Sequence, residues 1–389
     1  MSSDSSRVPV IIDTDPGVDD ALAILLAIAS PEIEILAFVV SFGNTDLEAS
    51  YLNIFKLYQA VGRHIEQHPE ERNLFPNYSP TRKPIVVRGA AGPLSGELHD
   101  AAYFHGRDGL GEITHSHPEF NLPPDLFSVG VHPQLELSDS PGHQVALDLL
   151  RDNPPRSVTY IALGPLTNLA RMLRVNGTLV RERIGRVVIM GGAFDVPGNV
   201  TPSAEFNFFA DPFAVAEVLR SETTRLPLER VLLLPLDVTC PHTLPFSAYS
   251  KYVDPAFAED TPSVPAGKTP LTHFSSAFFR RTRHVMRAYG LDGVELHDIA
   301  AVWAAIMHPP GLEGTAPGWT VRRRRFEMER TGEFTSGMCV VDRRDDNTRT
   351  PAANYAHVQA ALQHRVAVGS GDADVIGSVV VPAPVDVED

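Results

Sequence analysis

Cysteine, lysine and long apolar runs are scarce in this sequence of 389 residues, and each scarcity excludes a class of protein. The two cysteines, Cys240 and Cys339, are far apart, which excludes a disulfide framework and a cysteine metal site. No apolar run approaches the roughly 18 residues of a membrane span, and the first residues are polar. The net charge of −15 disfavours nucleic acids and anionic membranes as partners. We therefore expect a cytoplasmic protein that binds neither.

Apolar runs typical of buried strands alternate with helical segments along most of the sequence. The strands are expected at residues 8–12, 32–42, 84–88, 158–163, 184–190 and 230–236. This alternation predicts an α/β fold, a single three-layer domain of the open Rossmann type with a mostly parallel central sheet. Segments 319–329 and 338–342 predict an antiparallel extension near the C-terminus.

The domain organisation is expected to be simple, because no internal repeat and no clear linker divides the core. We expect one domain over residues 7–345, followed by a helix and a variable tail over residues 346–389. Segments 64–82 and 114–141 are predicted to be insertions that shape a pocket mouth or an oligomer contact.

Four aspartates lie within eight residues directly after the first expected strand: Asp13, Asp15, Asp19 and Asp20. Buried carboxylates this close repel one another and resist losing water, so they require raised pKa values or a bound cation. The alternative is a solvated turn that caps the next helix, which explains Asp19 or Asp20 but not Asp13 and Asp15. Because open α/β sheets bind ligands at strand carboxyl ends, we favour a hard-cation or catalytic carboxylate site.

Further polar residues follow other expected strands. Asn44 ends the second strand, Gly164 ends the strand at 158–163, and segment 199–207 follows the strand at 184–190. In a parallel sheet these ends share one edge. The amides and carboxylate of segment 199–207 suit a ligand with several hydroxyl groups, because each hydroxyl both donates and accepts. Turns that stabilise the loop explain them equally well.

His297 and Asp298 open an alanine-rich helical segment near the end of the expected core. In isolation, the pair is typical of a surface histidine followed by a helix cap. Beside a carboxylate that binds a cation, His297 would instead be a proton donor near neutral pH.

Together these motifs resemble the inosine-uridine preferring nucleoside hydrolase family. Segment 13–21, DTDPGVDDA, is similar to the N-terminal signature of that family. Four further stretches agree in order, namely 43–44, 163–168, 190–192 with 199–207, and 297–298. Weaker agreement is present at 105–111 and 337–342, and together the stretches cover most of residues 7–344.

The resemblance implies one Ca²⁺ per active site at the bottom of a ribose pocket. Asp15, Asp20 and Asp298 would bind the ion through side chains and Leu163 through its carbonyl, in keeping with the preference of Ca²⁺ for oxygen ligands. Asp13 would support this site from behind. The residues implied to hold the ribose hydroxyls are Asp19, Asn44, Asn199, Glu205 and Asn207. The base would lie beside His105 and Phe206.

The implied reaction is hydrolysis of the N-glycosidic bond of a ribonucleoside to free base and ribose, as part of nucleoside salvage. The ion would orient a water molecule and lower its pKa, Asp15 would be the general base, and His297 would help the base to leave. The helical segment 269–289 carries four candidate base contacts, His273, Arg281, His284 and Tyr289, although a basic helix that faces solvent explains them as well. We expect a homodimer or homotetramer, and we assign no preference between purine and pyrimidine bases.

Two other functions fit parts of the pattern. In a phosphatase of the haloacid dehalogenase type, Asp13 would be the nucleophile and Asp15 the acid or base, with Mg²⁺. None of the lysines provides a convincing partner for that chemistry. A non-catalytic nucleoside- or ribose-binding protein would keep the fold, but the intact set of acidic, amide and histidine residues argues against loss of catalysis.

Overall fold

The structure of this protein is a computed structural model that describes residues 7–78, 82–124, 126, 132–220, 226–341 and 377–382. Its strands are β1 (Val8–Thr14), β2 (Ile33–Val40), β3 (Ile85–Arg88), β4 (Glu136–Ser138), β5 (Val158–Ala162), β6 (Ile184–Met190), β7 (Val231–Leu234), β8 (Thr243–Pro245), β9 (Gly293–Glu295), β10 (Trp319–Arg324), β11 (Glu327–Met328), β12 (Cys339–Val340) and β13 (Gly377–Pro382). Its helices are α1 (Val18–Ala29), α2 (Leu47–Gln67), α3 (Ala102–His105), α4 (Ile113–Ser116), α5 (Gly142–Asp152), α6 (Thr167–Arg183), α7 (Phe206–Ala210), α8 (Pro212–Arg220), α9 (Leu236–Thr239), α10 (Phe246–Tyr252), α11 (Pro270–Ala288) and α12 (His297–Met307).

Nine of these strands form one sheet in the order β10-β13-β7-β6-β5-β1-β2-β3-β4. All neighbouring pairs from β13 to β4 are parallel, and β10 pairs antiparallel with β13. Two short antiparallel pairs, β11 with β12 and β8 with β9, lie outside this sheet. The predicted α/β fold with a mostly parallel central sheet and a C-terminal antiparallel extension is confirmed.

The centre of the sheet positions the polar residues that follow its strands. Strands β2 and β5 and most of β1 are buried and rich in Val and Ile, as is typical of a parallel sheet covered by helices on both faces. Asp13 in β1 is in register with Val39 in β2 and with Ala162 in β5. The three strands therefore end at the same edge, where Asp15 meets the residues that follow β2 and β5.

The two predicted insertions are partly built into the core. Helix α2 continues to Gln67, and the side-chain amide of Asn77 is fully buried. This amide donates to the carbonyl oxygens of Ala27, Ser30 and Ile33, so it ties segment 64–82 to the end of α1. Segment 114–141 contributes the 3₁₀ turn Pro118–Phe120 and the edge strand β4, which the sequence pattern did not indicate.

The C-terminal part adds a strand beyond the predicted domain boundary at residue 345. Strand β13 belongs to the expected tail, yet it pairs with both β7 and β10 in the main sheet. The helix expected after residue 346 lies outside the described residues. Among the described helices, none combines the length and apolar character needed to cross a membrane.

Candidate active site

A cavity of about 270 Å³ lies where the strand ends of the sheet meet the start of α12. This is close to the lower end of the roughly 300–1,000 Å³ common for small-molecule sites. The residues that the sequence predicted and that line this cavity are Asp19, Asn44, His105, Leu163, Asn199, Glu205, Phe206, Asn207, His297 and Asp298.

A cluster of carboxylates adjoins this cavity. Oxygen atoms of Asp19, Asp20 and Asp298 lie within 4.8 Å of one another. Asp19 and Asp20 belong to the first turn of α1, and Asp298 belongs to the first turn of α12. Two helix N-termini therefore direct positive potential towards the cluster, which favours the ionised carboxylates but does not replace a counter-charge.

Asp15 lies beside this cluster and has an incomplete set of partners. Its Oδ2 accepts a hydrogen bond from the backbone N–H of Asn44 at 2.7 Å, whereas its Oδ1 is buried and has no hydrogen-bond partner among the described residues. A buried carboxylate oxygen without a donor is costly, and such an atom is a natural ligand for a cation. Two glycines make room for the carboxylate, because a Cβ at Gly43 or Gly164 would stand 1.9 or 2.4 Å from its oxygens.

Burial and mutual repulsion raise the pKa values of these carboxyl groups. The pKa of Asp15 is raised well above its ordinary value by burial and then by the charge of Asp20. Burial, followed by the charges of Asp19 and Asp20, also raises the pKa of Asp298. The pKa of Asp19 rises to about 6, mainly because of burial. A divalent cation would act in the opposite direction, since it stabilises the ionised forms.

Asp13 is buried behind the cluster, and both of its oxygens have donors. Oδ2 accepts from the hydroxyl of Tyr160 at 2.7 Å, and Oδ1 accepts from the amide of Asn168 at 2.8 Å. Burial raises the pKa of Asp13 to about 7. This arrangement suits the predicted supporting position, and it gives Asp13 no exposed oxygen for the nucleophilic role that the phosphatase interpretation requires.

Asp20 caps a helix and also belongs to the carboxylate cluster. Its Oδ2 accepts from the backbone N–H of Gly17 at 3.1 Å, which caps the start of α1. The same oxygen accepts from the side-chain amide of Asn44 at 2.8 Å, and Oδ1 accepts from the hydroxyl of Thr14. Helix capping and membership of the carboxylate cluster therefore coexist in one side chain.

The segment after β6 forms another wall of the cavity, and its polar side chains also hold the loop together. Glu205 caps α7 by accepting from the backbone N–H groups of Asn207 and Phe208. It also accepts from the backbone N–H of Gly192, which follows β6. The amide of Asn207 donates to the carbonyl of Leu163 at 2.6 Å. These residues therefore stabilise turns, as one alternative holds, and also line the cavity, where the other places a ligand.

His297 lies at the start of α12, where two neighbours fix its ring. Its Nδ1 is 2.7 Å from the hydroxyl oxygen of Thr239, and its Nε2 is 3.3 Å from a carboxylate oxygen of Glu295. Burial by itself would lower the pKa of His297. The hydrogen bond with Glu295 and the charges of Asp19 and Glu205 outweigh burial, so the pKa is raised.

His105 reaches the same cavity but has the opposite electrostatic character. Its Nδ1 accepts from the backbone N–H of Val18 at 3.1 Å. Burial, assisted by the nearby His297, lowers the pKa of His105 to about 3. Its imidazole is therefore neutral at physiological pH and offers an uncharged aromatic edge to the cavity.

Comparison with known proteins identifies relatives along most of the chain. The family model described as inosine-uridine preferring nucleoside hydrolase matches residues 10–363. The chain belongs to this family. This chain is 32% identical over 337 residues to the pyrimidine-specific ribonucleoside hydrolase RihA of Citrobacter koseri, and the match covers 86% of this chain and 88% of that relative. It is 30% identical over 347 residues to the inosine-uridine preferring nucleoside hydrolase of Leishmania major, covering 88% and 91%.

Solved structures agree with this assignment of the nucleoside hydrolase. A plant nucleoside hydrolase matches with a TM-score of 0.65 and 25% identity, over 98% of this chain and 95% of that one. The predicted family is therefore confirmed, and with it the prediction of an enzyme of the N-ribosyl hydrolase type.

Of the four candidate base contacts, Tyr289 lines the cavity, whereas the three that belong to α11 do not. Arg281 donates to the backbone carbonyls of residues 102–104, His284 pairs with Asp260, and His273 contacts Glu119. Helix α11 instead contributes Met286 to the cavity, and Tyr289, the next residue after α11, is also part of the lining.

Several lining residues of the nucleoside hydrolase were missed by sequence reasoning: Tyr103, Met286, Leu291 and Glu295. Tyr103 stands two residues before His105, so the motif at 105–111 was the available signal. Glu295 stands two residues before His297, and this spacing was its only signal. Thr239 contacts His297 from 58 residues away in the chain, and no local pattern indicates it.

Proposed function

We propose that this nucleoside hydrolase cleaves the N-glycosidic bond of ribonucleosides to a free nucleobase and ribose, with Ca²⁺ as its cofactor. The observation that carries the proposal is the buried Oδ1 of Asp15, which has no donor among the described residues and belongs to a carboxylate that interacts electrostatically with those of Asp20 and Asp298. The names of the relatives support the substrate class, since both are ribonucleoside or nucleoside hydrolases.

The residues at this point fit a hard divalent cation. Asp15, Asp20 and Asp298 offer carboxylate oxygens, and the carbonyl of Leu163 at the cavity wall retains a lone pair beyond its bond to Asn207. Ca²⁺ takes about 6–8 oxygen ligands, so this set leaves room for water and for substrate hydroxyls. Asp19 belongs to the same group of oxygens and would also contact the ribose.

Asp15 is proposed as the general base. When bound, Ca²⁺ would orient a water molecule and lower its pKa. Oδ2 of Asp15 accepts only from the N–H of Asn44 among the described residues, and Oδ1 has no donor there. The carboxylate therefore keeps lone pairs both for the cation and for a proton from water. A general base in such a position typically contributes ~10²–10⁴ in rate.

The ribose would be held by residues whose positions are fixed before substrate binds. Both oxygens of Glu205 accept from backbone N–H groups, and Asn207 is anchored to Leu163. Asp19, Asn44 and Asn199 complete the set that faces the sugar. Fixed polar groups favour an oxocarbenium-like transition state, because they need not reorganise as charge develops on the sugar.

His297 is proposed to assist departure of the nucleobase. His105 and Phe206 would lie beside the ring of that base. Glu295 and Thr239 hold the imidazole of His297 at the cavity wall. We expect His297→Ala to reduce turnover more on natural nucleosides than on p-nitrophenyl riboside, because p-nitrophenolate leaves without a proton. Equal losses on both substrates would remove His297 from this role.

The proposal extends to assembly and location. We propose a homodimer or homotetramer that acts in nucleoside salvage in the cytoplasm, on the basis of the family resemblance and the sequence composition. Light scattering coupled to size exclusion tests the assembly, and fractionation of the source cells tests the location. A monomer by light scattering would contradict the first part.

One panel of assays tests the proposed reaction. The protein is incubated with uridine, cytidine, inosine, adenosine and guanosine, with and without a Ca²⁺ chelator, and released base is quantified. We expect release from at least one nucleoside, loss of release with chelator, and recovery when Ca²⁺ is added. Tight nucleoside binding by calorimetry without product would instead identify a binding protein, and release of phosphate from a phosphorylated substrate would favour a phosphatase.

A further inference from the structure

A second group of metal-ligating side chains lies outside the active-site cavity, where the segment after α4 meets α11. It consists of His117, which follows α4, Glu119 in the 3₁₀ turn Pro118–Phe120, and His273 near the start of α11. One donor atom from each residue lies within 4.8 Å of the other two. None of the three lines the active-site cavity, so the nucleoside hydrolase reaction does not account for them.

Two imidazole nitrogens converge on a single carboxylate oxygen in this group. Oε1 of Glu119 is 3.0 Å from Nδ1 of His117 and 3.0 Å from Nε2 of His273. A tetrahedral Zn²⁺ with bonds of about 2.0–2.1 Å places its nitrogen and oxygen ligands about 3.3 Å apart. Each of these two N···O distances would need to lengthen by about 0.3 Å to match such an ion, and the two nitrogens already lie within 4.8 Å of each other.

The second nitrogen of His273 already has the kind of partner that orients a ligand histidine. Its Nδ1 is 2.9 Å from the hydroxyl of Ser263, and this hydroxyl also receives a hydrogen bond from Lys268 at 3.0 Å. When Ser263 accepts from Nδ1–H, the lone pair of Nε2 faces the carboxylate of Glu119. Two acceptors 3.0 Å apart require a proton or a cation between them, and ligand histidines are commonly oriented in this way.

The surroundings protect the imidazoles and leave the carboxylate accessible. His117 and His273 are only 5% and 4% exposed, and the ring of Phe120 packs 4.8 Å from that of His273. The side chain of Glu119 is 42% exposed. An ion can therefore enter from the side of Glu119, where water would complete its coordination.

We propose that His117, Glu119 and His273 bind a transition metal ion of the Zn²⁺ type, separate from the carboxylate cluster of the active site. Two imidazoles and one carboxylate suit Zn²⁺, whereas a site made only of oxygens suits Ca²⁺. The ion would fasten the segment after α4 to α11, the helix whose other end contributes Met286 to the active-site cavity.

Metal titration of the full-length protein tests the proposal. Stripped protein in excess Ca²⁺, which competes for the oxygen-only cluster, is titrated with Zn²⁺ by calorimetry, and with Co²⁺ by visible absorption. We expect one Zn²⁺ per chain at this site and the strong absorption of tetrahedral Co²⁺. His117→Gln, Glu119→Gln and His273→Gln should each weaken Zn²⁺ binding at least about tenfold. His115→Gln is the matched control, because His115 is an exposed histidine in α4, and it should bind Zn²⁺ like the wild type.

Two results would overturn the proposal: no Zn²⁺ binding by micromolar wild-type protein, or equal binding by the wild type and the Glu119→Gln variant. The partly exposed Glu119 is the decisive position if a histidine variant fails to fold, which melting by circular dichroism detects. Nucleoside hydrolysis is not part of the readout, so a failure of the proposed enzymatic function leaves this test intact.

Discussion

Two regions of this protein bury carboxylates but give them different partners. Under α11, Asp254 is 2% exposed and accepts from the ammonium of Lys268 at 2.5 Å and the hydroxyl of Ser276 at 2.6 Å. At the end of β1, Asp15 and Asp20 are fully buried. Oxygens of Asp20 and Asp298 lie within 4.8 Å of each other, and the charge of Asp15 helps to raise the pKa of Asp298. Within the described ranges, no lysine or arginine forms an ion pair with these three.

The difference separates a buried carboxylate that has a counter-charge within the protein from buried carboxylates that lack one. The chain supplies its own cation to Asp254, so this pair is complete when the protein folds. The cluster at β1 concentrates negative charge that no lysine or arginine among the described residues neutralises, which destabilises the folded state unless a cation binds. Burial of a carboxylate is therefore not by itself a sign of function. The identity of its partners indicates whether the carboxylate is complete within the protein or needs a ligand.

The largest expected effect is a loss of kcat, and it tests the carboxylates that lack a counter-charge. We expect Asp15→Asn to lower kcat at least about a hundredfold, because the amide cannot accept the proton from water. In the presence of chelator, the melting temperature should equal or exceed that of the wild type, since one repelling charge is removed. Steady-state kinetics and circular dichroism measure both, and near-normal turnover on the best nucleoside would refute the assignment of the base.

The structural side is tested at the other buried carboxylate. We expect Asp254→Asn to lower the free energy of unfolding by about 3–5 kcal/mol, because Lys268 then remains buried without its counter-charge. Urea denaturation gives the value, and kcat per folded molecule should stay at the wild-type level. The paired change Asp254→Leu with Lys268→Met is the control and should recover part of the loss. An unchanged urea midpoint in Asp254→Asn would show that the ion pair with Lys268 does not stabilise the protein, and would contradict the distinction between the two kinds of buried carboxylate.

Ca²⁺ should stabilise the folded protein only by binding to the carboxylate cluster at the end of β1. At 100 times its dissociation constant, Ca²⁺ should add about 2.7 kcal/mol to the unfolding free energy of the wild type. Asp254→Asn should show the same increment, whereas Asp298→Asn should show little of it. Thermal melts across a Ca²⁺ titration measure this, and an undiminished increment in Asp298→Asn would place the ion elsewhere.

The smallest effect is expected at Asp13, a buried carboxylate whose partners are neutral hydrogen-bond donors rather than a cation. We expect Asp13→Asn to cost about 1–3 kcal/mol of stability, because its amide N–H would face the donor of Tyr160 or Asn168. Its loss of kcat should be much smaller than that of Asp15→Asn. Tyr160→Phe provides the control for the hydroxyl. A hundredfold loss of kcat in Asp13→Asn at full stability would place Asp13 in the chemistry itself.

Much of the site could be predicted because strand ends are visible in the sequence. Asp15, Asn44 and Leu163 follow apolar runs that form neighbouring parallel strands, so their convergence follows from the topology. The start of α12 was visible for a similar reason, since His297 and Asp298 precede an apolar run whose alanines are all buried.

Helix α11 shows where this reasoning fails. Its sequence places polar residues on several faces, and the pattern does not reveal which face meets the cavity. Met286 lines the cavity, whereas Arg281 and His284 are turned to other partners. The contact between His273 and Glu119 joins residues 154 positions apart, which no local periodicity encodes.

The sequence by itself determined the α/β architecture, the family, and the aspartates that follow the first strand. These depend on local apolar periodicity and on residues that are neighbours in the chain. Only the tertiary structure decided which oxygen of Asp15 has no donor, that Glu295 and Thr239 hold His297, and that two histidines meet Glu119. Those facts depend on distances and side-chain directions between remote segments, which are fixed only when the helices and strands pack.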